Sequence, residues 1–229
     1  MDILSRTHMT DAKPVATLLP TSSSSLTLHC GSTFSDPTEF QAVLRSLQHL
    51  LLTRLDIAFA VDKLSQFMHR PTTEHWDLVK QLLRYLCGTI NDGLQLFKEF
   101  RLSLHAFSDA VWLGNLEDFS STSAYIVYLG RNAISCEPEY RSVATTTVEL
   151  NWVSFLLDDL HVHLSTSHVV YCDNVGATQL CSNLVFHSRM KHVAIDFHFI
   201  FDQVQGGSLW IAHVSFVDQL ADALTKPLP

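Results

Sequence analysis

The chain has 229 residues, 47% hydrophobic and 17% charged, enough for one good core or two small ones; its net charge of −8 argues against the broad basic surface that non-specific nucleic-acid binding uses. No run of about 18 apolar residues occurs, and Met1-Asp2-Ile3-Leu4-Ser5-Arg6 holds no apolar leader, so neither a membrane span nor a signal peptide is expected and the expected location is intracellular, cytoplasmic or nuclear. The five cysteines (30, 87, 136, 172, 181) are odd in number and form no C-x-x-C, which points to free thiols in a reducing compartment rather than to disulfides or a zinc site.

Residues 1–35, with Pro14, Pro20 and the run Thr21-Ser22-Ser23-Ser24-Ser25, read as an irregular arm or linker with little to bury. Residues 36–100 read as a small helical unit. Asp36-Pro37-Thr38-Glu39 is a helix start, with Asp36 as cap and Pro37 at the first helical position. A second helix is predicted from Asp56, with Ile57, Val61, Leu64 and Met68 on one face, ending before Pro71. Thr72 or Thr73 caps a third, with Val79, Leu82, Leu83 and Leu86 inward and Gly88 as its stop. Trp76 and Phe67 belong in the core of this unit; stacking on a nucleobase is the alternative.

Residues 101–229 change period. Leu104 to Trp112 reads as a strand buried on both faces, with His105, Phe107, Asp109 and Val111 on one of them. Ser123 to Leu129 is a second strand, closed by Gly130-Arg131-Asn132, and Ala133 to Cys136 a short third. Pro138 is expected to open a long helix whose apolar residues Tyr140, Ala144, Val148, Trp152, Leu156 and Leu160 recur every four positions. A strand from Val169 to Asp173, a short helix from Val175 to Cys181, a helix from Lys191 to Val204, a last strand from Ser208 to Ser215 and a last helix from Asp218 to Leu224 complete the chain. Three strands joined by short turns and two more separated by helices predict an α/β fold: a mixed five-stranded sheet with flanking helices.

Two of the strands each carry an aspartate near the C-terminal end, Asp109 and Asp173. A carboxylate set among Phe107 and Val111 is costly to bury unless something positive meets it, and a divalent cation is the simplest occupant of a site between the two strands. Glu139, expected in the first turn of the long helix, and Asp222, in the last helix, are the acids that can join them. Four converging carboxylates can hold two Mg²⁺ ions, which prefer oxygen donors, to clamp a scissile phosphate and activate a water. His213, at the end of the last strand, is placed to shuttle protons. Each acid also has a plainer reading as a helix cap or solvated side chain, and Asp173 in particular as a cap for the helix after it. His187, His192 and His198 are spaced by five and six, which puts no pair on one helical face, so they read as structural; His161 and His163 read as surface residues.

The segments Thr53-Arg54-Leu55-Asp56-Ile57-Ala58-Phe59-Ala60-Val61, Leu82-Leu83-Arg84-Tyr85-Leu86-Cys87-Gly88-Thr89, Phe107-Ser108-Asp109-Ala110, Cys172-Asp173-Asn174 and Gln219-Leu220-Ala221-Asp222-Ala223-Leu224-Thr225-Lys226 closely resemble the C-terminal part of a copia-type retrotransposon Pol polyprotein. The resemblance implies that residues up to about 100 are the tail and connection of a reverse transcriptase. It implies that 101–229 is a ribonuclease H-like domain, cutting the RNA strand of an RNA–DNA hybrid with two Mg²⁺ ions (Mn²⁺ as a substitute) held by Asp109, Glu139, Asp173 and Asp222, with His213 as a weaker carry-over. The hybrid and the rest of the polyprotein are the implied partners, with no membrane among them, and no polymerase activity is expected because the palm aspartates are absent. Three departures favour an inactive remnant as the alternative. Val111 stands where the family pattern has an acid. A basic connector rich in Ser, Lys and Gln is missing between Cys136 and Glu137, which shifts where the next helix can start. Phe119 and Phe201 replace polar or basic residues, weakening the grip on phosphates.

Overall fold

The computed structural model describes residues 2–19, 31–98, 101–111, 122–139, 142–164, 166–182 and 194–226. The chain divides into two compact units, Met1–Leu94 with Lys226–Pro229, and Gln95–Thr225.

The first unit is helical: α1 (Asp2–Arg6), α2 (Pro37–Leu50), α3 (Ala58–Ser65) and α4 (Thr73–Gly88). The Asp36 carboxylate accepts from the Glu39 backbone N–H at 3.0 Å, and Pro37 takes a position whose N–H would be unsatisfied anyway, so α2 starts where the sequence predicts. Its buried residues, Phe40, Val43, Leu44 and Leu47, recur at three- and four-residue steps and form one apolar stripe. The Thr72 hydroxyl accepts from His75 N–H while His75 Nδ1 accepts from Thr72 N–H, a reciprocal cap that fixes the start of α4. His75 is fully buried and stacks on Phe67 at 4.0 Å, and Trp76 stacks on Phe34 at 4.9 Å, so both aromatics singled out in the sequence pack within the unit.

Two expectations change here. Asp56 does not start a helix: it sits in a 3₁₀ turn, Leu55–Ile57, with α3 beginning after it, because its carboxylate is taken up by Arg54 and Tyr85 instead of by helix N–H groups. The N-terminal arm is not idle either. It contributes α1, and Leu4 and Leu18 are buried among the side chains of α2, α3 and α4. Each such burial removes apolar surface worth roughly 1.5–3 kcal/mol, enough to order a segment that composition alone marks as irregular. The serine run lies outside the described residues.

The second unit is built on five strands: β1 (Leu104–Val111), β2 (Thr122–Leu129), β3 (Asn132–Glu139), β4 (His168–Cys172) and β5 (Leu209–His213), in the order β3-β2-β1-β4-β5. β1, β2 and β3 are antiparallel neighbours, whereas β4 runs parallel to β1 and β5 parallel to β4. The helices are α5 (Ser142–Asp159), α6 (Val175–Ser182), α7 (Ala194–Gln205) and the single turn α8 (Asp222–Thr225). Leu104, Ala106, Tyr125, Val127 and Val170 on the strands meet Leu150 and Val153 of α5, Cys181 of α6 and Ile200 of α7 in one core. The five-stranded mixed sheet with flanking helices is the expected α/β architecture.

The third strand departs from expectation. The chain stays extended through Pro138 and Glu139, and α5 starts only at Ser142. β3 is an edge strand of the sheet, where a proline's missing N–H need cost no ladder bond, so Pro138 fits a strand as well as a helix start. The four-residue stripe on α5 also fails. A strict repeat of four advances about 40° around a helix at each step, so it cannot hold one face. Thr146, Thr147 and Leu150 are fully buried and Val153 nearly so, while Val148, Trp152, Leu156 and Leu160 are exposed, Trp152 by 58%. Thr147 tolerates burial because its hydroxyl donates to the Val143 carbonyl at 2.8 Å.

Candidate metal centre

Alternation along β1 sends Leu104, Ala106 and Ser108 under the helices and His105, Phe107 and Asp109 to the opposite face. On that face His105 stacks on Tyr128 at 5.4 Å and Phe107 on Tyr171 at 5.0 Å. The desolvation of this aromatic floor holds the His105 imidazole below its ordinary pKa. Asp109 is the next residue on the floor and only 2% exposed, so the acid flagged by its apolar neighbours is indeed buried.

Asp173 follows directly on β4, the parallel neighbour of β1, and Asp222 opens α8. Asp109, Asp173 and Asp222 each offer a carboxylate oxygen, and the three oxygens lie within 4.8 Å of one another. The last two are partly exposed, which leaves the cluster an open side. Asp173 is free of the capping role that its position allowed, because the Asn174 side chain accepts from the Ala177 N–H at 3.1 Å instead. Three carboxylates and no sulfur or imidazole make an all-oxygen donor set that fits a hard divalent cation. Burial, and then the charges of Asp173 and Asp109, push the buried Cys172 thiol above its usual range against a hydrogen bond from the Asn174 backbone, so it stays protonated beside the acids. None of the four described cysteines is in a disulfide.

The other two candidates are Glu139 and His213. Glu139 is the last residue of β3, in register with Ser123, and not in the first turn of α5; its side chain lies outside the described residues. Pairing with β2 continues to Glu139, so this acid is part of the edge strand. His213 ends β5 in register with Cys172, exposed, one position from the level of Asp173, and it is not one of the clustered groups. His198 is exposed on α7 and His161 and His163 are exposed past α5, whereas His187 and His192 lie outside the described residues. Phe201 is partly buried, and Phe119 lies outside the described residues.

Sequence reasoning quoted Gln219 and Thr225 only as part of a motif. Gln219 is 4% exposed, and its Nε2 donates to the Ser108 carbonyl at 3.0 Å while its Oε1 accepts from the Ala221 N–H at 3.3 Å. Thr225, 5% exposed, donates its hydroxyl to Asp109 Oδ2, and the same hydroxyl lies 3.5 Å from the Asp222 main-chain carbonyl. The available signal was two neutral polar residues three positions before and after an acid, at the ends of an otherwise apolar turn.

No family model matches the sequence. Among curated proteins, the chain is 54% identical over 241 residues to the retrovirus-related Pol polyprotein from transposon RE2 of Arabidopsis thaliana, covering 100% of this chain and 16% of the relative. It is 53% identical over 241 residues to the Pol polyprotein from transposon RE1 of the same plant, again covering 100% of this chain and 16% of the relative. The chain therefore spans about one-sixth of the length of these relatives. Among solved structures it is similar to LC11-RNase H1 in complex with an RNA/DNA hybrid, at 14% identity and a TM-score of 0.36, covering 53% of this chain and 93% of that one. Matched along its whole length at more than half identity, the chain belongs to the retrovirus-related Pol polyproteins of copia-type transposons, of which it is a segment.

Proposed function

We propose that the sheet unit is the ribonuclease H of its polyprotein, hydrolysing the RNA strand of an RNA–DNA hybrid at a site held by Asp109, Asp173 and Asp222. The observation that carries this reading is the gathering of three carboxylate oxygens, from residues far apart in the chain, within 4.8 Å. Asp109 supplies a rigid, buried ligand on the central strand, and Asp173 and Asp222 complete the cage from the open side. Bound there, a pair of Mg²⁺ or Mn²⁺ ions would activate a water and take up the charge that develops on the scissile phosphate. His213, which ends β5 in register with Cys172, the residue before Asp173, is the proposed proton relay. Glu139 remains the proposed fourth ligand. The partners are the hybrid and the remainder of the polyprotein, and the free cysteines suit an intracellular compartment, cytoplasmic or nuclear. No helix among the described residues is long and apolar enough to cross a membrane.

The test is cleavage of a hybrid carrying a labelled RNA strand by the full chain with Mg²⁺ or Mn²⁺. RNA-strand products from the parent and none from Asp109→Asn are expected. No products at any protein concentration, or products unchanged by the substitution, contradict the reading. One observation favours a second reading, a folded remnant without activity that binds nucleic acid weakly at most: Glu139 stands on the edge strand instead of the helix that follows it. The remnant leaves hybrid intact under every ionic condition.

A further inference from the structure

We infer that Thr225 is a positioning residue for the metal centre, its hydroxyl setting the orientation of the Asp109 carboxylate and tying it to the turn that carries Asp222. This rests on the proposed metal-binding reading of the three aspartates. Asp109 and Thr225 are separated by 116 positions, yet the Thr225 hydroxyl donates to Asp109 Oδ2 in a buried environment. A carboxylate rotates about its terminal torsion unless something holds it, and a fixed donor on one oxygen leaves the remaining lone pairs aimed in a set direction. The same hydroxyl lies 3.5 Å from the Asp222 carbonyl, so one side chain touches two of the three acidic residues. The turn itself cannot slide along β1, because Gln219 is bonded to the Ser108 carbonyl, the residue before Asp109, at 3.0 Å. α8 is a single four-residue turn, too short to hold a ligand in place by its own hydrogen bonds. Gln219 before Asp222 and Thr225 after it both tie this turn to β1. Hydrogen-bond partners that orient metal ligands in this way typically change affinity by 10–100-fold when removed.

Valine keeps the shape of threonine and removes the donor, and serine keeps the donor and removes a methyl group. Mn²⁺ binding to the full chain is measured by calorimetric titration for the parent, Thr225→Val and Thr225→Ser, with circular dichroism in EDTA confirming that each folds. Weakening of roughly tenfold or more in Thr225→Val, with Thr225→Ser close to the parent, is expected. Equal affinity in parent and Thr225→Val overturns the inference, as does equal weakening in both variants. If the valine chain does not fold, the serine chain decides alone, and a tenfold loss in it overturns the inference. A parent that binds no Mn²⁺ overturns the metal-centre reading itself, and this inference with it.

Discussion

At the scale of single residues, a dense polar arrangement apart from the aspartate cluster surrounds Arg54. The guanidinium, 6% exposed as a residue, donates to both oxygens of Asp56 at 2.9 and 2.7 Å and to the carbonyl and hydroxyl of Thr89 at 2.7 Å each. Tyr85 adds a hydroxyl to Asp56 at 2.9 Å. Burial alone pushes the Asp56 carboxyl up, but the hydrogen bonds from Arg54 and Tyr85 and the Arg54 charge outweigh it and leave the group below its ordinary value of 3.8. A depressed folded-state pKa stabilises the fold above the unfolded value, and that stability is lost as pH falls through the folded value. Arg54→Ala is therefore expected to cost about 2–3 kcal/mol at neutral pH, read from urea unfolding. The deficit should shrink as pH falls below about 4, where Asp56 in the unfolded chain begins to take up its proton, and vanish once the folded parent is protonated as well. A deficit that stays constant across that range contradicts this role. Single residues also show what the sequence discloses and what it hides. Asp109 was legible because a carboxylate among Phe107 and Val111 on one strand face has no local reason to be there. Thr225 was not, because a hydroxyl gains its meaning only from a partner 116 positions away.

At the scale of elements, α5 gives the sharpest contrast between pattern and packing. Period counting picked the residues every four positions, but the sheet receives Thr146, Thr147, Leu150 and Val153, and the apolar residues Trp152, Phe155 and Leu160 face outward, more than half exposed. The threonines concealed the true stripe, because polar residues do not score as core until their hydroxyls find a backbone carbonyl. Leu150→Ala should cost about 2–5 kcal/mol, whereas Trp152→Glu should change unfolding free energy by no more than about 0.5 kcal/mol. Denaturant titration of both variants checks the orientation, and a larger loss for the tryptophan would reverse it. Strand β3 was misjudged at its end for a related reason: Pro138 satisfies a helix start and an edge strand equally, and only the sheet order decides. Helix starts at Pro37 and Thr73 were legible because a side chain caps each of them locally.

At the scale of the whole molecule, a chain of net charge −8 places three carboxylate oxygens within 4.8 Å. Their mutual repulsion is relieved by a divalent cation, so the site should stabilise the fold when filled. The topology was legible because the sequence alternates strand and helix in an order that few sheets accommodate, and the strand order β3-β2-β1-β4-β5 brings the ends of β1 and β4 side by side. The start of α5 was not, since it depends on how far β3 stays paired with β2. The chain divides into two compact units, and the decisive measurement is the calorimetric midpoint of the sheet unit's transition in the full chain, with Mg²⁺ and with EDTA. A rise of roughly 5 °C at ten times the dissociation constant, absent in Asp109→Asn, is the expected result. A midpoint that Mg²⁺ does not move, or a rise that survives Asp109→Asn, contradicts a cation site built on Asp109, Asp173 and Asp222.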